Sequence, residues 1–191
     1  VAILSNSWNM DRVAKDAASD LYELYLEESK NAIIRKFNQA FISGDTTSET
    51  DGFDGLAKAL KGSSTESTSA TDLSVVTQAV ALAYLEELDT MLSGLMRTPD
   101  ALVMGSAQRV KLNACLRAVG LGTQTMETAG RQVPSYNGIA IHEMRDGAVA
   151  NGDVYACCFG LDALHGVTLS GGSAASVTIP DWSTPGAVKS G

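Results

Sequence analysis

Between Asp11 and Ile42 the chain reads DRVAKDAASDLYELYLEESKNAIIRKFNQAFI, without Gly or Pro, and its apolar residues form two groups, Val13, Ala17, Leu21 and Leu24, then Ile33, Ile34, Phe37 and Phe41, in which spacings of three and four dominate. That spacing keeps one stripe on one face and predicts a single long helix, capped by Asn9 or Asp11 and stopped by Gly44. Roughly thirty residues at about 1.5 Å each make a rod of about 45 Å, longer than a small domain is wide. Such a helix is expected to lie across its domain as a spine. Glu23, Glu27 and Glu28 precede Lys30, Arg35 and Lys36, an order that suits the helix dipole. Ahead of it, VAILSNSWNM at residues 1–10 reads as the end of a strand.

Downstream the period changes several times. Ser43 to Thr50 is polar and reads as a loop, and Phe53, Leu56, Ala57 and Leu60 in FDGLAKAL mark a short docked helix or turn. KGSSTESTSAT, residues 61–71, is small and polar, which predicts a flexible connection and a sub-domain boundary. Leu73, Val76, Val80, Leu88, Met91, Leu92 and Leu95 predict a helix capped by Thr71 or Asp72 and broken at Pro99. ALVM, residues 101–104, is wholly apolar and predicts a strand buried on both faces; Ser106 then caps a helix over Ala107 to Val119, ended by Gly120 and Gly122. Leu121 to Pro134 reads as a long loop, Asn137-Gly138 as a turn, IAIHEM (139–144) as a strand, and VYACCF (154–159), after a turn at Asn151-Gly152, as a strand that neighbours it. Residues 167–169 and 176–179 read as further strands, and 180–191 as a fraying tail. The resulting division is a spine part over 1–61, a linker over 62–71, an α/β part over 72–179 and a tail, an α+β chain without internal repeats.

With 191 residues, 45% of them hydrophobic, the chain has material for a substantial core. A formal charge of −8 with only 14 scattered Lys and Arg argues against a phosphate-gripping surface and sequence-specific DNA binding. Three cysteines, Cys115 and the adjacent Cys157 and Cys158, do not make a disulfide framework and suit a reducing compartment. No stretch reaches the length of a membrane span, and the first ten residues are too polar for a signal core. A start at Val1 in place of Met is expected of a processed protein or a fragment.

Candidate chemistry is thin. His142 with Glu143 and Cys157 or Cys158 matches no standard zinc spacing, and neighbouring cysteines in a strand point to opposite faces. Cys157 or Cys158 as nucleophile with His165 as base lacks any feature that raises thiolate character. Gly120-Leu121-Gly122 and Gly171-Gly172 lack the strand-then-helix setting of a phosphate cradle. Glu27-Glu28 and Glu86-Glu87 read as solvated faces, and Asp45, Asp51 and Asp54 as loop chemistry ahead of a cation site. The expectation is a protein that is no enzyme, with no catalytic residue, no cofactor and no metal.

The order of pieces carries a resemblance. The long helix ending in FISGD, the FDGLAKAL after it, LMRTPDALVMGSAQRVKL and YNGIAIHEM together resemble a tailed-bacteriophage major capsid protein of the Hong Kong 97 type, over Asp20 to Leu169. That resemblance implies a spine helix over Asp20 to Ile42 in a peripheral domain, and an axial domain drawing helices and strands from Leu73 to Val119 and Ile139 to Phe159. It implies a structural subunit that self-assembles into pentamers and hexamers and an icosahedral virion capsid around double-stranded DNA, built in the host cytoplasm. Its partners would be other copies of itself, portal, scaffolding or decoration proteins, and packaged DNA held non-specifically, with no membrane. The outer face of the spine and Leu121 to Pro134 are the expected interface regions. Members of that family carry an amino-terminal arm and an extended β-hairpin loop before the spine, and the near absence of both here implies a core fragment or trimmed product. The rival readings are an encapsulin-like nanocompartment shell, which shares the fold, and a small thiol or metal hydrolase using Cys157, Cys158 and His165.

Overall fold

The computed structural model describes residues 9–11, 20–50, 52–128, 130–167 and 188–190. Its elements in chain order are β1 (Asn9–Asp11), α1 (Asp20–Ser43), α2 (Leu56–Leu60), α3 (Gln78–Ser93), β2 (Ala101–Gly105), α4 (Ser106–Ala118), β3 (Gln124–Thr128), β4 (Arg131–Tyr136), β5 (Ile139–Met144), β6 (Val154–Cys157) and β7 (Val188–Ser190). The chain is α+β, with a mixed five-stranded sheet in the order β3-β4-β5-β2-β6 and a two-stranded pair of β1 with β7.

β2 is an interior strand of the sheet, between β5 and β6, and is buried along its whole length. It runs parallel to β5 in the register Leu102 to Ile141 and antiparallel to β6 in the register Leu102 to Ala156. Leu102 and Met104 point into a core with Ala81, Tyr84, Leu85 and Leu88 of α3, Leu112, Cys115 and Leu116 of α4, and Ile139 and Ile141 of β5. Val103 points the other way, into a second core of Ile42, Ala148, Val149 and Cys157, against which Phe41, Leu56 and Tyr155 pack. The sheet is therefore sandwiched, with α3 and α4 on one face and the end of the spine on the other. Inside the first core the Gln108 amide donates to the Tyr84 hydroxyl at 2.7 Å, which satisfies two polar groups that would otherwise be costly to bury.

Several expectations need correcting. Asn9 and Asp11 lie in β1, paired with Ser190 and Val188, so three residues of the expected tail form a strand; the helix start expected directly after them lies outside the described residues. Residues 12–19 lie outside the described residues, as do Asp51, 1–8 and most of the expected strands over 167–169 and 176–179; Val167 itself is not in a strand. α3 starts at Gln78 with Thr77 as its cap, whose hydroxyl accepts from the Val80 amide. Asp72 instead accepts from the amide and hydroxyl of Ser74, closing a local turn. Leu73 and Val76, counted above as part of the helix, reach the same core from this non-helical lead-in. Ser106 is the first residue of α4, with Gly105 at the cap position and no side-chain cap bond.

The stretch read as a long loop, Leu121 to Pro134, holds β3 and most of β4, a hairpin in the register Met126 to Val133. β5 and β6 do not touch as neighbours, because β2 lies between them. The turn at Asn137-Gly138 has φ of 48° and 78°, the left-handed pair that a two-residue hairpin turn requires, and it sets Tyr136 opposite Ile139. Tyr136 and Asn137 both donate to Asp89 of α3, at 2.8 and 2.9 Å, which ties this turn to the helical layer.

Candidate functional site

The surface with the clearest unmet physical demand is α1. It has 24 residues, a rod of about 36 Å. Among its described side chains Ile42 alone is buried, at 1% exposure, while Leu24, Ile34 and Phe37 stand 52%, 46% and 48% exposed. Asn38 adds one polar tie, donating to Asp146 at 2.8 Å. Helices of globular domains draw most of their stability from packing an apolar stripe, and among the described side chains of α1 Leu24, Ile34 and Phe37 stay largely exposed while Tyr25, Leu26 and Ile33 are half-buried.

That last turn is fixed by a joint, and the joint explains the sequence around it. The Gly44 amide donates to Ala40 O at 2.9 Å and Gly55 donates to Gly44 O at 2.9 Å, which folds α2 back on the end of α1. A Cβ on Gly44 would lie 2.4 Å from Ala40 O and Phe53 O; one on Gly55 would lie 2.6 Å from the Ile42 carbonyl and the Gly44 amide nitrogen. Only glycine fits at these two crossings. Phe53 then meets Phe37, with ring centroids 6.5 Å apart.

Two of the loop's aspartates, Asp45 and Asp54, have a cation, an internal one. Lys58 Nζ sits 2.6 Å from Asp45 Oδ1 and 2.8 Å from Asp54 Oδ1. Its ammonium, with the donors of Thr47, pushes the Asp45 carboxyl well below the usual carboxylate range. Lys58 and the amide and hydroxyl of Thr46 likewise hold Asp54 at about 2. The same two carboxylates push Lys58 up.

A second exposed apolar region gathers around Arg97. Its guanidinium donates to Phe159 O at 2.8 Å and pairs with Asp162 at 3.3 Å, drawing the loop after α3 to the chain beyond β6. Met96, Phe159 and Leu161 are exposed there. Beside it Asp89, Leu92, Arg97, Pro99 and Asn137 line an open groove of about 480 Å³. The β3–β4 hairpin forms one edge of the sheet; Gln124, Thr125, Glu127, Arg131 and Gln132 are exposed along it.

The residues named for metal or thiol chemistry are not brought together. Exposed His142 on β5 lies in register with Val103, whereas Cys157 on β6 lies in register with Ala101, so β2 lies between them. Cys157 is buried, which pushes its thiol up to about 11 and disfavours the thiolate. Leu164 donates to Cys158 O at 3.1 Å and so runs His165 past the cysteine, yet the His165 Nδ1 faces Ala163 O at 3.0 Å. Glu143 is engaged by Arg109 and Arg145, which hold its carboxyl below the ordinary value. Among the described residues no group of three or more His, Cys, Asp and Glu has a metal-holding arrangement, and no helix is long and apolar enough to cross a membrane.

Sequence reasoning named the spine and Leu121 to Pro134 as contact surfaces; it missed the patch around Arg97, for which Met96, Phe159 and Leu161 are too far apart in the chain to register as one feature. Neither family models nor curated proteins supply a match to this chain.

Proposed function

We propose that this chain is a structural subunit of an icosahedral viral capsid, with a fold of the Hong Kong 97 type, whose activity is self-association into pentamers and hexamers around double-stranded DNA. The observation that carries the reading is the spine: a helix of 24 residues with one buried side chain among those described. Its apolar residues become explicable when neighbouring subunits cover them. Covering Leu24, Ile34 and Phe37 removes on the order of 300 Å² of apolar surface from water, about 7 kcal/mol before costs. Association entropy consumes a comparable amount, so one such contact is weak and reversible. Repetition by symmetry turns weak contacts into a stable shell.

The arrangement of parts supports the same reading. A spine docks on one face of a sheet whose other face carries two helices, and the first and last described strands pair with each other. A net charge of −8 suits a wall that encloses DNA without gripping its sequence. The partners of such a subunit are further copies of itself, together with portal, scaffolding or decoration proteins, and its location is the virion.

The test is sedimentation velocity and nuclease protection on the gene product that carries this sequence. Fast-sedimenting particles holding nuclease-protected double-stranded DNA are expected, and Leu24→Asp with Ile34→Asp abolishes them while leaving the far-ultraviolet circular dichroism unchanged. A monomer at all concentrations refutes self-association. Particles filled with protein cargo in place of DNA refute the viral role.

A further inference from the structure

Residues 61–77 contain no helix or strand, and every side chain from Lys61 to Ala70 apart from half-buried Ser63 is exposed. No apolar burial holds the first part of this segment against α3. It is nevertheless fastened, by a single side chain. The Glu87 carboxylate accepts from the Ser69 hydroxyl, from the Thr71 hydroxyl at 3.0 Å and from the Ala70 amide at 3.3 Å. Short of that point the segment stands off the helix, leaving a cleft of about 320 Å³ between Ser67 and Thr68 on one side and Ala83, Glu86, Glu87 and Thr90 on the other. Beyond it the chain is anchored independently, because Lys111 of α4 donates to Leu73 O at 2.6 Å and Leu73 packs on the first core.

We propose that residues 61–72 form a strap latched across α3 by the Glu87 carboxylate, closed while that group is ionised and released when it is protonated. An ionised carboxylate offers acceptors to all three donors; protonation turns one oxygen into a donor and leaves the strap without its charge-assisted bonds. Release opens the cleft beside Ala83, Glu86 and Thr90, which are exposed already, and frees a polar segment of about a dozen residues, while the anchor at Leu73 and the joint at Lys58 stay in place.

Other groups near the latch do not substitute for it. On the strap, Glu66 is occupied by the Gly62 amide at 2.6 Å and Asp72 by Ser74, while Lys61 makes no bond to Glu87. On α3 the neighbours are Tyr84, bonded to Gln108, and exposed Glu86; on α4 Lys111 is bonded to Leu73 O and acts on Asp72 of the strap. The strap's own donors, Ser69 first, hold the Glu87 carboxyl below its ordinary value. A carboxyl whose value is lowered in the closed state keeps the latch shut above the ordinary carboxylate range and opens it as pH falls below that range.

The experiment compares wild type with Glu87→Gln. A glutamate-specific protease at pH 7.5 is expected to cut after Glu66 about tenfold faster in the variant, as loss of charge-assisted bonds worth roughly one decade requires. Ala70 amide exchange, corrected for its intrinsic pH dependence, is expected to accelerate between pH 6 and pH 3 in wild type and to be fast and flat in Glu87→Gln, with α3 and β2 amides unchanged. Equal cleavage rates overturn the proposal. So does a pH dependence that survives in Glu87→Gln, which assigns the titration to Glu66 or Asp72. Ser69→Ala with Thr71→Val leaves α3 untouched and is expected to open the strap in the same way, so a folding defect in Glu87→Gln does not shield the claim.

Discussion

The joint between α1 and α2 is tested most sharply by Gly55→Ala. The backbone of Gly55 has φ −76° and ψ 172°, values any residue adopts, so the substitution introduces no conformational strain of its own. What it introduces is a methyl group 2.6 Å from the carbonyl carbon and oxygen of Ile42 and from the amide nitrogen of Gly44. All three are backbone atoms at the end of α1, and relief requires the two segments to part by roughly 0.4–0.8 Å to reach ordinary contact. Parting them strains the 2.9 Å bond from the Gly55 amide to Gly44 O and loosens Ile42 in the second core. Overpacking of this kind costs about 1–3 kcal/mol and a lost backbone bond about 1 more, so a destabilisation of about 2–4 kcal/mol is expected. In urea that moves the unfolding midpoint down by about 1–2 M at an unchanged slope. Gly122→Ala is the control, since a Cβ there meets nothing within 4 Å and its φ is not in the left-handed range. If Gly55→Ala unfolds at the same urea concentration as Gly122→Ala, the close crossing does not constrain the fold and the reasoning fails.

Two further outcomes follow from the charges and thiols. Asp54 is held at about 2 against an ordinary 3.8, so its contribution to stability is complete above about pH 4 and is lost as pH falls towards 2; melting temperature recorded across that window should fall less steeply in Lys58→Met than in wild type, and parallel curves would show that the Lys58 clasp is silent. Alkylation of the native protein with iodoacetamide should label Cys158 and spare buried Cys115 and Cys157; rapid labelling of Cys157 would contradict its placement in the second core and restore interest in a thiol mechanism.

The parts of the fold legible in the sequence are those where one local rule acts alone. ALVM is apolar at every position and became an interior strand, buried along its whole length. Asn137-Gly138 has a dipeptide chemistry that suits its turn, and the spine ends at Gly44 as expected, though not through the left-handed conformation expected of it: Gly44 has no positive φ and is required by the close approach of Ala40 O and Phe53 O. Illegible parts are those where distant residues decide. The β3–β4 hairpin escaped notice because it serves no core face for most of its length: its exposed Gln124, Thr125 and Glu127 show no apolar alternation, and Pro134 sits within β4 opposite Thr125. α3 was drawn too long because Leu73 and Val76 continue the helical spacing while reaching the core from an irregular segment. Strand order was unreadable for a different reason: nothing in IAIHEM or VYACCF indicates that ALVM inserts between them. Glu87 read as a solvated acid because its three donors lie 16 to 18 residues upstream.

The candidate surface divides in the same way. Exposure of Leu24, Ile34 and Phe37 was foreshadowed by a helix too long for its domain, a property of length and composition alone. The Arg97 patch depends on a contact across 62 residues, a separation that leaves no local pattern in the sequence.

The central claim, that this chain exists to build a shell from copies of itself, is tested most directly by cryo-electron microscopy of particles purified from cells expressing the gene product. The account predicts closed icosahedral shells in which five- and six-fold capsomers place density from a neighbouring subunit against Leu24, Ile34 and Phe37. Discrete monomers, or an assembly in which Leu24, Ile34 and Phe37 all face solvent, would contradict it.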